Sequence, residues 1–232
     1  VEIQSGVFSK YSLQFSWPGS PYVPYIPDEI WTWGDYWTSG IEHAGQQSVR
    51  VVGSTPEFEA VRDRNIAKIP GQVVFLSQPL IGIDIFNEAV AFATDRPQTK
   101  VIFKLHPRND VAEFESAIAA LGASAPKNIE LVHVERTSLE IIAESEYAIG
   151  AFSTALIEAA GLGTKVGIIK LTGWEHLENL IEGGYAMAFD SGAELAKRLG
   201  EIPLPADPYF FYGRRADIGE LAVKLVDELS GK

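Results

Sequence analysis

The chain has 232 residues, 46% of them hydrophobic, with no cysteine and a formal net charge of -12. Such a length buries about 70–75% of the surface an unfolded chain exposes, so one large α/β domain or two smaller ones fold without a disulfide or metal, and disulfide frameworks, thiolate catalysis and Cys-ligated zinc are excluded. The acidic balance, 31 Asp and Glu against 19 Lys and Arg, argues against a general nucleic-acid binder, whose affinity comes from clustered basic side chains; it leaves room for a local pocket that takes one phosphorylated small molecule.

The first sixty or so residues are irregular. Val1–Gln4 predicts a short strand. Phe8–Pro27 carries prolines at 18, 21, 24 and 27, which block a regular ladder and predict a long loop of the kind that is often functional. Ile30–Trp33 predicts a strand, Asp35–Ala44 a short helix and Val49–Val52 a strand. From Lys68 the pattern becomes regular. Strands are expected at Val73–Leu76, Val101–Leu105, Ile129–Val132, Tyr147–Ile149, Val166–Ile169 and Tyr185–Ala188. Helices are expected at Ile83–Thr94, Val111–Leu121, Ser138–Glu144, Thr154–Ala160, Glu175–Ile181, Ala193–Leu199 and Ile218–Leu229. Short apolar strands alternating with amphipathic helices mean βαβ units, hence a parallel sheet flanked by helices on both faces. No apolar run reaches the roughly 18–20 residues of a membrane span. The first residue is Val rather than Met, which reads as a chain cut or processed from a longer one.

In open α/β sheets ligands sit beyond the strand carboxyl ends. The residues expected there are Ser77–Gln78, His106–Pro107, Glu135–Arg136, Ala151–Thr154 and Lys170–Trp174. Lys104 and His106 are two apart and leave their strand on one face, an arrangement that suits an anion such as phosphate. The plainer reading of His106 is a structural histidine bonded to nearby backbone. Ser153 and Thr154 open a helix, whose unpaired N–H groups and dipole favour an anion; the plainer reading is an ordinary N-cap. Glu158 lies four residues after Thr154 on the same helix face, where a carboxylate suits ribose hydroxyls; otherwise it is an exposed helix residue. The chain has no Gly-x-x-x-x-Gly-Lys-Ser/Thr and no Gly-x-Gly-x-x-Gly after a strand, which argues against a P-loop NTPase and a nicotinamide-dependent dehydrogenase. Gly-x-Ser-x-Gly is also missing. Histidines 43, 106, 133 and 176 lack metal-ligand spacing, so no metal is expected. The aromatic segment Trp31–Trp37 is expected in the core, and the loop Tyr11–Tyr25 is the better acceptor-facing candidate.

The order of several motifs is informative together. They are Glu2-Ile3-Gln4-Ser5-Gly6, Pro27–Trp37, Val51-Val52-Gly53-Ser54, Lys104-Leu105-His106-Pro107 and Phe152–Ala159. In this order and spacing the chain resembles bacterial glycosyltransferases of the GT-B type that make capsules and other surface polysaccharides. These are the polysialyltransferase-like, sialyltransferase-like and teichoic-acid glycerophosphotransferase-like enzymes. The resemblance covers roughly residues 1–190. It implies two Rossmann-like domains across a cleft, with the activated donor bound by the C-terminal one. It further implies that His106 is the catalytic residue contacting donor phosphate, that Ser153 and Thr154 bind the same phosphate, and that Glu158 holds ribose. Gln4 and Ser5 become the acceptor-side candidates. Where the family often has Gln-His-Gly, this chain has Gln4-Ser5-Gly6, and Ser5 cannot act as a base at neutral pH.

The expected architecture is therefore α/β: a Rossmann-like donor-binding domain over residues 67–232, preceded by the end of an acceptor-side domain over residues 1–66. The expected function is sugar transfer from a nucleotide-activated donor in bacterial surface polysaccharide synthesis. Alternatives are a nucleotide-sugar epimerase or hydrolase sharing the donor pocket, and a non-catalytic domain that retains the fold. The expected partners are a nucleotide-sugar, as substrate rather than cofactor, and a saccharide or lipid-linked acceptor, with no nucleic acid. The expected location is the cytoplasm, with the intact enzyme peripheral to the inner face of the cell membrane, although the acidic balance supplies no polybasic contact for anionic lipid.

Overall fold

The computed structural model describes residues 1–4, 6, 9, 11, 22–24, 26–39, 48–216 and 218–230. Ser5, most of the expected Phe8–Pro27 loop and the end of the expected Asp35–Ala44 helix lie outside these residues. In chain order the elements begin with β1 (Glu2–Ile3), β2 (Glu29–Thr32), α1 (Tyr36–Ser39), β3 (Ser48–Val51) and α2 (Pro56–Asp63). There follow β4 (Ile69–Leu76), α3 (Gly82–Asp95), β5 (Val101–Lys104), α4 (Val111–Ala120), β6 (Ile129–Val132), α5 (Ser138–Glu144) and β7 (Ser145–Gly150). The chain continues through α6 (Thr154–Gly161), β8 (Lys165–Ile169), α7 (Glu178–Glu182), β9 (Ala186–Phe189), α8 (Gly192–Arg198), α9 (Pro208–Phe211) and α10 (Ile218–Ser230). They form two compact units: residues 64–208, and residues 1–63 together with 209–232. Residues 209–232, read from the sequence as the end of the second domain, thus cluster with the first.

Residues 64–208 carry a six-stranded sheet in the order β6-β5-β4-β7-β8-β9, with every neighbouring pair parallel. Counted from β4, the order is 3-2-1-4-5-6, the doubly wound arrangement of Rossmann-like folds. A parallel sheet covered by helices must be apolar on both faces, and its central strands are: Val73 to Phe75, Val101 to Phe103, Ala148, Ile149, Ile168 and Ile169 are fully buried. On α3 the buried Ile85, Phe86, Ala89, Phe92 and Ala93 follow the helical repeat and seal one face. The rings of Phe75 and Phe92, and of Phe86, Phe103 and Phe114, meet at centroid distances of 5.1–5.6 Å. Helix starts are set by local side chains. Asp110 caps α4, Ser191 caps α8, and Thr137 with Glu140 forms a capping box on α5.

Four details depart from the sequence reading. β4 starts at Ile69 rather than Val73, with a register shift between those residues around Gly71, whose φ is 75°. The expected Glu175–Ile181 helix is a 3-10 turn over Trp174–Leu177 followed by α7. α2 and the short α9 were not expected. The start signal for α2 was nonetheless present: Thr55, then Pro56 at the first helical position, then acidic Glu57 and Glu59.

In the other unit β1, β2 and β3 make a parallel sheet with β2 central and buried throughout. Trp31, Tyr36, Trp37, Phe58, Phe211 and Tyr212 are its core, so most of the Trp31–Trp37 segment is structural. Residues 209–216 complete this core. Tyr212 stacks on Phe58 at 4.3 Å and on Trp33 at 5.7 Å, and Trp37 Nε1 donates to the Phe211 carbonyl at 2.8 Å. Arg62 donates to the Tyr212 carbonyl, while Glu59 Oε1 accepts from Ser54, Arg62 and the Arg215 amide. Among the described residues no helix is long and apolar enough to cross a membrane.

Candidate functional site

Strand order in residues 64–208 reverses between β4 and β7, and the crevice beyond the carboxyl ends of such strands is where an open parallel sheet takes ligands. β5 flanks β4 on the other side. The loops after β5 and β7 are therefore two strand spacings apart, about 10 Å, with the β4 loop, Ser77–Ile81, between them. The β5 loop carries His106. The β7 loop carries Phe152 and Ser153 and leads into α6.

His106 is half-buried. Its Nδ1 accepts from the Arg108 backbone N–H at 3.1 Å, so in the neutral ring the proton sits on Nε2. Burial lowers its pKa, and the charges of Arg108 and Lys104 lower it further. These influences favour the neutral imidazole, which with Nδ1 accepting carries a Nε2–H donor that has no protein partner among the described residues. Across the β4 loop, Ser153 is the N-cap of α6. Its Oγ accepts from the Ala155 amide at 3.2 Å. Thr154 is the first helical residue, half-buried like Ser153. Glu158, further along α6, is also half-buried, and desolvation pushes its carboxyl up to about 7.

Lys104 behaves differently from the sequence expectation. It is 4% exposed, and its ammonium donates to the carbonyls of Leu105 and His133. Burial lowers its pKa, against the opposing attraction of Glu135. Its charge thus acts on the backbone of the β5 and β6 ends. The other strand-end candidates are similarly engaged. Arg136 pairs bidentately with Glu144 at 2.9 and 2.7 Å, Glu135 accepts from the His133 amide, and Lys170 pairs with Asp190 at 2.8 Å. Gln4, in the other unit, is 3% exposed and spans Trp33 N–H and the Gly6 carbonyl, each at 3.0 Å. Ser5 lies outside the described residues.

The sequence reading missed Asn109. Its Oδ1 accepts from the His106 amide at 2.9 Å and from Ser77 Oγ at 2.8 Å. Its bond to the His106 amide is local, but Ser77 lies on a strand end that only the sheet order brings beside it, so one sequence does not mark the link. Cavities of about 410 and 320 Å³ open at the opposite end of the sheet, around Lys127 and Asn128. There Asn128 Nδ2 is already bonded to the Ala93, Arg96 and Thr99 carbonyls. They lie away from the strand carboxyl ends, and strand topology is the better guide to a ligand site. Among the described residues no group of three His, Asp or Glu side chains is placed to hold a metal ion.

No protein-family model and no curated protein matches the sequence. Solved structures do match in fold. Phytolacca americana UGT2, complexed with UDP-2-fluoro-glucose and pterostilbene, is 12% identical with a TM-score of 0.52 over 88% of this chain and 53% of that one. The spinosyn rhamnosyltransferase SpnG is 16% identical with a TM-score of 0.51 over 88% and 53%. The kitacinnamycin glycotransferase is 14% identical with a TM-score of 0.51 over 80% and 48%. The chain thus spans about half the length of these structures. The likeness is one of fold: a Rossmann-like parallel α/β sheet flanked by helices, as in GT-B glycosyltransferases.

Proposed function

We propose that residues 64–208 are the donor-binding domain of a nucleotide-sugar glycosyltransferase and that residues 1–63 with 209–232 belong to its acceptor side. The observation that carries this reading is the pairing of two anion-seeking groups on either side of the β4 loop. One is His106, whose Nδ1 accepts a backbone bond and whose Nε2–H is left to donate; the other is the N-terminus of α6. A donor diphosphate between them meets a hydrogen-bond donor and a helix dipole in a partly desolvated site.

In the transfer, the acceptor oxygen bonds to the anomeric carbon while the bond from that carbon to the phosphate oxygen breaks. The electron pair stays on the phosphate, and the charge that develops there is met by His106 Nε2–H and the α6 N-terminus, the electrostatic stabilisation that dominates many enzymes. The acceptor proton goes to a base on the acceptor side. Glu158 takes the ribose hydroxyls. The order of the Gln4-Ser5-Gly6, Lys104–Pro107 and Phe152–Ala159 motifs supports an acceptor that is a bacterial surface polysaccharide or its lipid-linked precursor.

Calorimetry and thermal-shift measurements against CMP, CDP, UDP, GDP and ADP test the reading. A nucleotide at 100 times its dissociation constant stabilises by about 2.7 kcal/mol. One nucleotide class is expected to bind; a protein that binds none of the five would overturn the proposal.

A further inference from the structure

We infer that Asn109 and Gln78 are positioning residues that join the His106 loop and the α6 N-terminus into one rigid cradle; this rests on the donor-site reading above. Asn109 takes the His106 amide and the Ser77 hydroxyl on its Oδ1, and its Nδ2 donates to the Gln78 carbonyl at 3.5 Å. Gln78 in turn accepts the Phe152 amide on its Oε1 at 3.2 Å. An unbroken run of hydrogen bonds thus crosses three adjacent strand ends, from β5 through β4 to β7, and ends on main-chain N–H groups at both sides. Ser77 and Gln78 are 7% and 8% exposed, so at the β4 end these bonds are largely shielded from water.

The amide of Asn109 matches the task chemically. Its oxygen has lone pairs for two donors, and its nitrogen still reaches a carbonyl; neither a carboxylate nor an aliphatic side chain does both. The brace also sits in close quarters. A Cβ on Gly82, the first residue of α3, would stand 2.9 Å from Ser77 Oγ and 3.1 Å from Asn109 Nδ2. An anion gripped from two sides needs the spacing of its two grips held to within about half an ångström, and loops fixed only at their strand ends do not provide that. Neither residue needs to touch the donor for this purpose.

The test is a set of double-mutant cycles on the full chain, read by calorimetry with CMP, CDP, UDP, GDP, ADP and inorganic pyrophosphate. In the wild-type background His106→Ala should weaken binding about tenfold. In the Asn109→Ala or Gln78→Leu background the same His106→Ala change should cost less than about threefold, because the His106 loop no longer acts in concert with α6. Gln78→Leu is the sharper probe, since the Gln78 side chain bonds to the Phe152 amide and not to His106. Gly82→Ala removes no hydrogen-bonding group yet crowds the brace, and should reproduce the effect if Asn109→Ala fails to fold. A full tenfold His106→Ala penalty in the altered backgrounds would sink the inference and leave the donor site standing. A wild-type protein that binds neither pyrophosphate nor any of the five nucleotides would sink the donor-site reading, and the brace with it.

Discussion

Glu158 illustrates how one residue couples the site to stability. Burial raises its carboxyl pKa to about 7, whereas an unfolded chain releases that proton near the ordinary Glu value of about 4.3. Between those two pH values the folded state holds more protons than the unfolded state, so stability falls as pH rises through the window, by up to about 4 kcal/mol. Above pH 7 the loss is complete. Glu158→Gln removes the titration. Melting temperatures of variant and wild type should coincide near pH 4 and diverge in favour of the variant up to about pH 7. Parallel curves would show that Glu158 is solvated. The sequence placed Glu158 on the Thr154 face of α6 through helical spacing alone, but the desolvation comes from packing that no local pattern displays. Lys104 shows the converse. Strand alternation correctly puts it two residues from His106, yet its ammonium reaches the His133 carbonyl, on a neighbouring strand end that the sequence does not reveal.

At the level of elements, the contact between α3 and α8 is set by a glycine. A Cβ on Gly192 would stand 2.0 Å from the Glu88 carbonyl oxygen, inside any real contact distance. The Gly192 amide donates to the Glu88 carboxylate at 2.6 Å, so a carboxylate from α3 serves the exposed donors at the start of α8. Gly192→Ala must push the helices apart. Overpacking of this kind costs about 1–3 kcal/mol, which in a protein of this size lowers the melting temperature by roughly 2–4 °C per kcal/mol. A thermal melt unchanged by the substitution would mean that the helices separate without cost. The helices themselves were readable in advance because their signals are local: apolar residues at helical spacing on α3, and Asp110, Thr137, Ser153 and Ser191 at the N-caps. α2 escaped although Thr55, Pro56 and Glu57 announce it, since only Phe58 and Val61 are buried along its length and its apolar stripe is thin. The start of β4 escaped because Gly71 and the register shift break the alternation on which a strand reading depends.

At the scale of the whole molecule, the chain divides into two compact units. The core on the α3 face of the larger unit's sheet comes from residues 73–202 alone, so a fragment spanning residues 64–208 should fold alone. It should give dispersed amide resonances and a cooperative melt. Deleting residues 209–232 from the full chain should remove Phe211 and Tyr212 from the aromatic core of the smaller unit and abolish the near-ultraviolet circular dichroism of Trp33 and Trp37. A native-like aromatic signal after the deletion would mean that residues 1–63 fold without their C-terminal segment.

What the sequence by itself determined is the class of the fold: alternating apolar strands and amphipathic helices, a parallel sheet, and the placement of His106 and the start of α6 at the strand carboxyl ends. Those follow from periodicity, caps and chain order, which act over a few residues. Tertiary structure alone decided the 3-2-1-4-5-6 strand order, the bonds from Asn109 to Ser77 and from Gln78 to Phe152, the engagement of Lys104, and the return of residues 209–216 to the first unit. Each of these joins residues about thirty or more positions apart, from 29 between Lys104 and His133 to 174 between Trp37 and Phe211. Hydrogen bonds and packing over such separations are selected by the whole chain's burial of apolar surface, and leave no local trace in the amino-acid order.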